Sequence, residues 1–282
     1  MIMAELGKVN QMNIVKKVDF GLYLDGGEMG EILMPKRYVT KDMKPGDSVE
    51  VMVYLDGEER YVATTEKPKA VVGDFASLRV NKVEKSGAFL DWGLSKELMV
   101  PFSEQKVKME EGRSYIVYVY IDRITGRITA SMKLERFFSK EKPPYQAGDE
   151  VDLLIWTPTD LGYKAIIDNK YLGVVYKNEI FKKINSGNKL RGFVKKVRDD
   201  GKIDLSLESM GYKKKIGGIA GVVLEKLKTA GGFLPYHDKT DPDVIYSIFG
   251  VSKKTFKQAV GNLYKLRLIE MDQKGIKLTE KA

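Results

Sequence analysis

The sequence predicts a mainly β protein with a C-terminal α+β domain: three tandem five-stranded OB-fold barrels followed by a winged helix-turn-helix. First, the pattern at Asp19–Asp25 returns at Lys85–Asp91, with about 66 residues between the two copies. Second, each copy lies between runs of alternating apolar residues, the period of a half-buried strand. Third, the apolar period changes from two to about 3.6 after Met210, which indicates helices. A repeat of this length is too long for a solenoid unit and suits a small barrel.

The first copy, residues 7–65, predicts five short strands. Its third strand ends at Pro35, which has no N–H to donate to a ladder. A turn at Asp56-Gly57 precedes the last strand. We expect the strands at Val9–Val18, Leu22–Leu24, Ile32–Pro35, Val49–Val53 and Tyr61–Thr64.

Residues 73–133 repeat this layout, with a hairpin turn at Asp122–Arg127 before the fifth strand. A charged linker, Glu135–Gln146, contains two prolines and separates the second copy from a weaker third one that opens at Gly148. The strand spacing is typical of OB barrels. The predicted domains are therefore 1–68, 69–140 and 147–210 for the barrels and 215–282 for the winged helix.

The last 70 or so residues predict helix, helix, turn, helix and hairpin. The first helix spans Ile216–Leu227, the second has Pro242 in its first turn, and Ser252 caps the third. A two-stranded wing is expected on either side of Asp272–Gly275. One face of the third helix is lined by Phe256, Val260, Leu263, Tyr264 and Leu266.

Composition excludes several classes of protein. The chain has no cysteine and one histidine, His237, so disulfides, thiolate metal sites and most zinc or Ser-His-Asp sites are excluded. No run of 18 apolar residues is present, and the start lacks a secretory signal. We therefore expect a cytoplasmic protein with no membrane partner, no cofactor and no metal.

Positive charge is concentrated near the C-terminus. The whole chain has a net charge of +9, whereas residues 1–70 carry −2 and residues 210–282 carry +7. A localised basic surface is expected of a protein that binds a polyanion. Nucleic acid is the partner that this distribution favours.

Aromatic residues near the second strand of the first two barrels are candidates for base stacking. They are Phe20, Tyr23 and Phe89. A base held without its complementary strand needs a stacking platform, worth roughly 1–3 kcal/mol. The alternative is that these rings fill the barrels, least plausibly for Tyr23, whose hydroxyl needs a polar partner.

The strings Phe-Gly-Leu-Tyr-Leu-Asp and Ser-Gly-Ala-Phe-Leu-Asp, and the third strands ending at Pro35 and Pro101, resemble the ribosomal S1 type of OB-fold RNA-binding domain. That resemblance implies single-stranded RNA held by two aromatics of the second strand and nearby polar and basic residues. Ser86 replaces the first aromatic in the second copy, and proline stands where the family often has histidine. The third copy departs most, with Leu161-Gly162-Tyr163-Lys164.

The order of three such barrels and a winged helix resembles the bacterial conserved virulence factor B family of RNA-binding proteins. This implies a non-catalytic protein that binds single-stranded RNA in post-transcriptional regulation. The rise of positive charge toward the C-terminus indicates that most of the affinity lies at that end. Duplex DNA and a protein of the RNA-processing machinery are further candidate partners; no small-molecule substrate is expected. Besides the three aromatics, the candidate RNA-binding residues are Tyr163, Lys164, Lys195, Lys196, Arg198, Lys213, Lys214, Lys215, Lys253, Lys254, Lys257, Gln258 and Lys274.

Two other functions compete with this hypothesis. A DNA-binding transcription regulator would use the winged helix, but its third helix is poor in arginine and asparagine for reading bases. A nuclease would need clustered carboxylates around metal ions. The acidic pairs Asp199-Asp200, Glu110-Glu111 and Glu58-Glu59 all lie in predicted turns, which favours solvated loops over catalysis.

Overall fold

In a computed structural model the protein is described over residues 4–180, 183–207 and 218–280, apart from the side chain of Asn178. The chain divides into two compact units. One unit contains the chain up to Lys140 together with Asn169–Tyr171, and the other contains the rest. The described helices include none that is long and apolar enough to cross a membrane.

The first barrel follows the predicted strand order. It consists of β1 (Val9–Val18), β2 (Gly21–Asp25), β3 (Glu31–Pro35), β4 (Ser48–Leu55) and β5 (Tyr61–Thr64). The sheet closes in the order β1-β2-β3-β5-β4, with β3 and β5 parallel. Alternate side chains of β1 and β2, including Met12, Ile14, Leu22 and Leu24, point into a closed core.

The second copy forms five strands whose backbone ladder does not close. The strands are β6 (Phe75–Glu84), β7 (Gly87–Asp91), β8 (Leu98–Pro101), β9 (Ser114–Ile121) and β10 (Ile128–Ser131), in the sheet order β10-β9-β6-β7-β8. A side chain links the two edges: Oγ1 of Thr129 donates to the carbonyl of Met99 at 2.9 Å. The five strands are confirmed, while backbone closure is absent within residues 73–133.

The third barrel is closed like the first, and its five strands are as predicted. They are β11 (Glu150–Thr159), β12 (Gly162–Ile167), β13 (Tyr171–Tyr176), β14 (Lys189–Val197) and β15 (Ile203–Ser206). Its core includes Ile155, Ala165, Val175 and Leu205.

The glycine that recurs in the repeat begins the second strand of each barrel, and the fold needs it there. A Cβ on Gly21, Gly87 or Gly162 would lie only 2.1–2.3 Å from a carbonyl oxygen of the following strand. No side chain fits at that distance from backbone, so the two strands pair closely only with glycine.

A β-bulge lies at the same place in the first strand of every barrel. The register of the first and second strands shifts after Ile14, Val80 and Ile155. The residues skipped by the three ladders are Val15, Asn81 and Trp156. A bulge re-aims the side chains around it. Here it places Lys16 opposite Tyr23, Lys82 opposite Phe89, and Thr157 opposite Lys164.

The C-terminal domain consists of α1 (Ile219–Thr229), β16 (Phe233–Leu234), α2 (Pro242–Phe249), α3 (Lys253–Lys265), β17 (Ile269–Met271) and β18 (Ile276–Leu278). The winged helix is confirmed, with one addition: β16 pairs with β18 and makes the predicted two-stranded wing a three-stranded sheet. Asp241 caps α2 by accepting from the N–H of Asp243, and Ser252 caps α3 by accepting from that of Thr255. The predicted start of the first helix, Ile216, lies outside the described residues.

The apolar face of α3 is narrower than the sequence predicts. Phe256, Val260 and Leu263 are buried in the winged-helix core. Tyr264 is 53% exposed and Leu266 is also exposed, so their placement on the buried face was wrong. Both lie at the C-terminal end of α3, where the chain turns into β17.

Within the first unit, the two barrels share one hydrophobic core. Met52, Tyr54 and Val62 of the first barrel pack in the same cluster as Leu78, Trp92 and other side chains of the second. Glu66, which follows β5, accepts hydrogen bonds from the backbone N–H (2.9 Å) and the hydroxyl (2.5 Å) of Ser95. The two barrels therefore pack together as one body.

Candidate nucleic-acid interface

A lysine lies over an aromatic ring on the outer face of each of the first two barrels. Nζ of Lys16 is 4.7 Å from the ring centroid of Tyr23, and Nζ of Lys82 is 5.0 Å from that of Phe89. These distances are those of cation–π contacts. Both pairs are created by the bulge, which puts the lysine of the first strand opposite the aromatic of the second.

The three predicted aromatics are on the surface. Phe20 is 58% exposed and meets the ring of Tyr23 edge-on, with 6.3 Å between centroids. Tyr23 and Phe89 are half-buried, each on the strand face opposite to its buried neighbours. None of the three belongs to a buried core cluster. The rings are thus placed where a base could reach them.

Carboxylates hold both lysines in position over the rings. Lys16 pairs with Glu31 at 2.5 Å, and Lys82 pairs with Glu84 at 2.8 Å and Glu97 at 3.2 Å. Hydrogen bonds to Glu84 and Glu97 raise the pKa of Lys82 above its ordinary value. A base that stacks on these rings must share them with an ammonium group, which can also pair with a backbone phosphate.

The third barrel has the same kind of lysine–aromatic pair, but here the ring is on the first strand and the lysine is on the second. Trp156, at the bulge of β11, carries the ring, and Nζ of Lys164 on β12 lies 5.3 Å from it. Lys164 occupies the position held by Tyr23 and Phe89 in the other barrels. Trp156 is absent from the predicted residues, and the signal that locates it is the bulge register, which the sequence does not show directly.

Tyr163, one of the predicted RNA-binding residues, lies on a different strand face from the aromatic residues Tyr23 and Phe89 of the other two barrels. It occupies the strand position that Leu22 and Ala88 hold in the other barrels, and both of those are buried. The Tyr163 side chain is half-buried, and its hydroxyl donates to the carbonyl of Ile184 at 3.3 Å. Strand alternation therefore separates it from the half-buried ring of Trp156.

Lys195 on β14 and Arg198 in the turn after it, both predicted to bind RNA, form ion pairs within the third barrel. Nζ of Lys195 is 2.8 Å from Oε1 of Glu179, whose other oxygen accepts from the hydroxyl of Ser206 at 2.8 Å. Arg198 pairs with Asp204 at 2.9 Å, and hydrogen bonding to that carboxylate raises the pKa of the guanidinium. Lys196 is exposed, and among the described residues no carboxylate lies within ion-pair distance of it.

The basic face of the winged helix is present as predicted. Lys254, Lys257 and Gln258 are exposed on α3, Lys253 is half-buried, and Lys274 is exposed in the turn between β17 and β18. Lys257 is at the limit of an ion pair with Asp238, with 4.0 Å between Nζ and Oδ2. Lys213, Lys214 and Lys215 lie outside the described residues.

The acidic pairs considered for catalysis are engaged with cations beside them. Asp200 pairs with Lys202 at 2.8 Å, Glu110 with Arg113 at 3.0 Å, and Glu58 with Arg60 at 3.0 Å. In the part of the chain that the structure describes, no three His, Cys, Asp or Glu side chains are grouped so as to hold a metal ion.

Comparison with known proteins adds family matches in three places. The S1 domain family model matches residues 6–66 and 72–133, and that of the CvfB-like winged helix domain matches residues 221–278.

Similar proteins match over most of the chain. The uncharacterized protein YitL of Bacillus subtilis is 29% identical over 269 residues, covering 92% of this chain and 89% of that protein. Conserved virulence factor B of Staphylococcus aureus strain N315 is 24% identical over 270 residues, covering 92% and 90%. A crystal structure of a multidomain protein with nucleic acid binding domains from Streptococcus pneumoniae is 25% identical, covering 97% of this chain and 98% of that one, with a TM-score of 0.43.

Proposed function

The chain belongs to the conserved virulence factor B family, with S1 domains and a CvfB-like winged helix, and from this we propose that it is a non-catalytic protein that binds single-stranded RNA in post-transcriptional regulation. Both kinds of domain are of the nucleic-acid binding type. The observation that carries the proposal is the lysine–aromatic pair on all three barrels: Lys16 with Tyr23, Lys82 with Phe89, and Lys164 with Trp156.

A lysine beside a half-buried ring at the surface suits a single strand better than a duplex. Bases in a duplex are stacked on their neighbours, whereas an unpaired base offers its face to a protein ring. The ammonium group beside the ring pairs with the adjoining phosphate and carries no base selectivity. Three such pairs along one chain give the protein several weak contacts with one strand.

The basic face of the winged helix would supply the long-range attraction. Lys254, Lys257 and Lys274 are exposed on α3 and in the wing turn. Neutralising phosphates releases counterions, so binding should weaken as salt rises. Gln258 is an exposed residue of this face that could read a base edge.

The test is a salt titration of binding to a labelled single-stranded RNA, followed by anisotropy. The double change Lys254→Glu and Lys257→Glu should weaken binding and reduce the slope of log affinity against log salt by roughly 0.7 for each phosphate that is no longer neutralised. The matched control is Lys41→Glu with Lys44→Glu, which changes the charge equally at exposed lysines of the first barrel.

Equal slopes in the two double variants would contradict the assignment of the basic face. Unlabelled duplex DNA and unlabelled single-stranded RNA serve as competitors in the same assay. Better competition by the duplex would favour a DNA-binding transcription regulator instead.

A further inference from the structure

A cavity of about 540 Å³ lies within the first unit, between the β4–β5 turn of the first barrel and the outer face of the second. Leu55 and Gly57 contribute to one wall, Phe89, Trp92 and Met99 to the other, and Ile124 lines it from the β9–β10 hairpin. Its volume is in the range of cavities that hold small organic ligands. It also adjoins the ring of Phe89, on the proposed RNA-binding face.

The turn is fixed to the second barrel, so the cavity is preformed. Nζ of Lys96 donates to the carbonyl oxygens of Leu55 at 2.5 Å and Asp56 at 2.7 Å. Burial lowers the pKa of this lysine below its ordinary value. Nε of Arg127 is 3.0 Å from Oε1 of Glu59 and ties the hairpin to the same turn.

The charges of the lining disfavour an anionic ligand and suit one that carries hydrogen-bond donors. Four carboxylates line the cavity, those of Asp56, Glu59, Glu97 and Asp122, against two cations, Lys96 and Arg127. Both cations are already engaged, Lys96 by the carbonyls of the turn and Arg127 by Glu59. The carboxylates have partners as well, since Glu59 pairs with Arg127 and Glu97 with Lys82. They outnumber the cations of the lining, and a carboxylate can accept several hydrogen bonds, so a phosphate inside would be repelled and amino groups would find acceptors.

Lys82 lies beside Phe89 and would orient a bound ligand. Nζ of Lys82 is 5.0 Å from the centroid of Phe89 and 3.2 Å from Oε2 of Glu97. Lys82 also pairs with Glu84 and Glu97, but its side chain is 47% exposed, so a phosphate can replace one of these carboxylates while the attached base packs against the apolar wall. The cavity and its neighbouring lysine thus match the two halves of a nucleotide.

We propose that this cavity binds one nucleobase that carries an exocyclic amino group, with the base inside and any phosphate outside, next to Lys82. Adenine, cytosine and guanine have such a group, whereas uracil has a carbonyl oxygen in its place and offers a single N–H donor at this edge. The assignment of the base to a bound strand rests on the proposed RNA-binding function. A free nucleoside offers the same chemistry, and the experiment separates the two sources.

Tryptophan fluorescence can report on the cavity directly. The chain has two tryptophans, so Trp156→Phe leaves Trp92, which lines the cavity and is only 2% exposed. This variant is titrated with adenosine, cytidine and uridine, and separately with oligoadenylate and oligouridylate. We expect a saturable change in Trp92 emission with adenosine and cytidine, with affinity at least about fivefold higher than for uridine.

Variants test the wall and the acceptor. Phe89→Leu keeps apolar bulk but removes the ring, and should weaken adenosine binding about 5- to 150-fold. Phe102→Leu, an exposed phenylalanine of the same barrel outside the cavity, should leave it unchanged. Glu97→Gln should reduce the preference for adenosine over uridine. If Phe89→Leu fails to fold, Ile124→Ala replaces it. The Ile124 side chain is 95% exposed, so the variant should fold. Its loss from the cavity wall should weaken adenosine binding roughly threefold or more.

Anisotropy of labelled RNA, measured with the protein that keeps Trp156, separates the possible outcomes. RNA binding without any response of Trp92 to nucleosides or oligoadenylate would overturn the cavity and leave the proposed function standing. A response to adenosine without RNA binding would support the cavity as a nucleoside site and overturn the proposed function. Equal affinities for adenosine and uridine would overturn the amino-group assignment.

Discussion

Lys164 and Trp156 show how a single position in a strand decides a residue's role. Both side chains are half-buried and form a pair on the outer face of the third barrel, although neither strand keeps the residue types of the first two barrels. Tyr163, one residue away, alternates to the other face and bonds the carbonyl of Ile184. An aromatic in the sequence is therefore a candidate platform only when its face is known.

Replacing Trp156 should separate these two roles. Trp156→Leu should weaken binding of single-stranded RNA by about 1–3 kcal/mol, the cost of one stacking platform. Tyr163→Phe should leave RNA affinity unchanged and lower the free energy of unfolding by about 0.5–1.5 kcal/mol, because its hydrogen bond is removed. Anisotropy and urea unfolding measure the two effects, and the reverse result would restore Tyr163 as the platform.

Tyr54 gives the first unit a dependence on alkaline pH. Burial and a hydrogen bond with Tyr38 raise the pKa of Tyr54 from 10.0 to about 12. Between these values the unfolded chain releases its proton while the folded chain retains it, so the free energy of unfolding falls as pH rises from 10 to 12. Tyr54→Phe should make that fall shallower in denaturant unfolding measured across this range. An unchanged slope would show that Tyr54 does not titrate in this way.

At the scale of elements, the repeated glycine and the bulge together build each barrel's outer face. The glycine lets the second and third strands approach, and the bulge turns a first-strand residue toward the second strand. The repeat seen in the sequence is thus a repeat of backbone geometry. The side chains that use it differ from one barrel to the next.

The close approach at Gly87 makes it sensitive to substitution. Gly87→Ala puts a Cβ 2.3 Å from the carbonyl oxygen of Val100, so we expect a loss of stability of about 1–3 kcal/mol or more. The control Gly57→Ala meets no atom within 4 Å and should change stability by less than about 1 kcal/mol. Chemical denaturation of both variants tests this; similar stabilities would show that the strands can move apart at no cost.

The ion pair of Lys195 with Glu179 should stabilise the third barrel. Glu179 is 2% exposed, and Lys195→Met would leave its buried carboxylate with one cation fewer. We expect a loss of about 1–3 kcal/mol in the free energy of unfolding. Lys196→Met, at the exposed neighbour, should weaken RNA binding and leave stability within about 0.5 kcal/mol. A loss of RNA affinity in the Lys195 variant alone would reverse these assignments.

At the scale of the whole molecule, the part with the shared core and the part with the most positive charge lie in different regions of the chain. The first two barrels share a core and lie in the less basic part, and the winged helix carries the largest positive excess. Shared packing should couple the two barrels in unfolding. The basic end should control how binding depends on salt.

Coupling within the first unit can be measured by hydrogen exchange. Met52 belongs to the first barrel but packs in the core of the second, so Met52→Ala should lower protection in β6–β10 as well as in β1–β5. A core truncation of this kind costs about 2–5 kcal/mol. Loss of protection confined to β1–β5 would show that the barrels unfold independently.

The sequence by itself determined the order of the strands along the chain, the cap at Ser252 and the winged helix, because strand alternation, glycine and capping are local properties. It identified Phe20, Tyr23 and Phe89 as candidate stacking residues but left open whether their rings fill the barrels, and the structure places them on the outer face.

Only the tertiary structure decided which residues meet. Bulge register brings Trp156 to Lys164, the buried carboxylate of Glu179 pairs with Lys195, and the β4–β5 turn and Phe89 line one cavity because the two barrels share a core. Each of these contacts joins residues from different strands or barrels. Their spacing along the chain therefore carries no local signal that sequence periodicity could reveal.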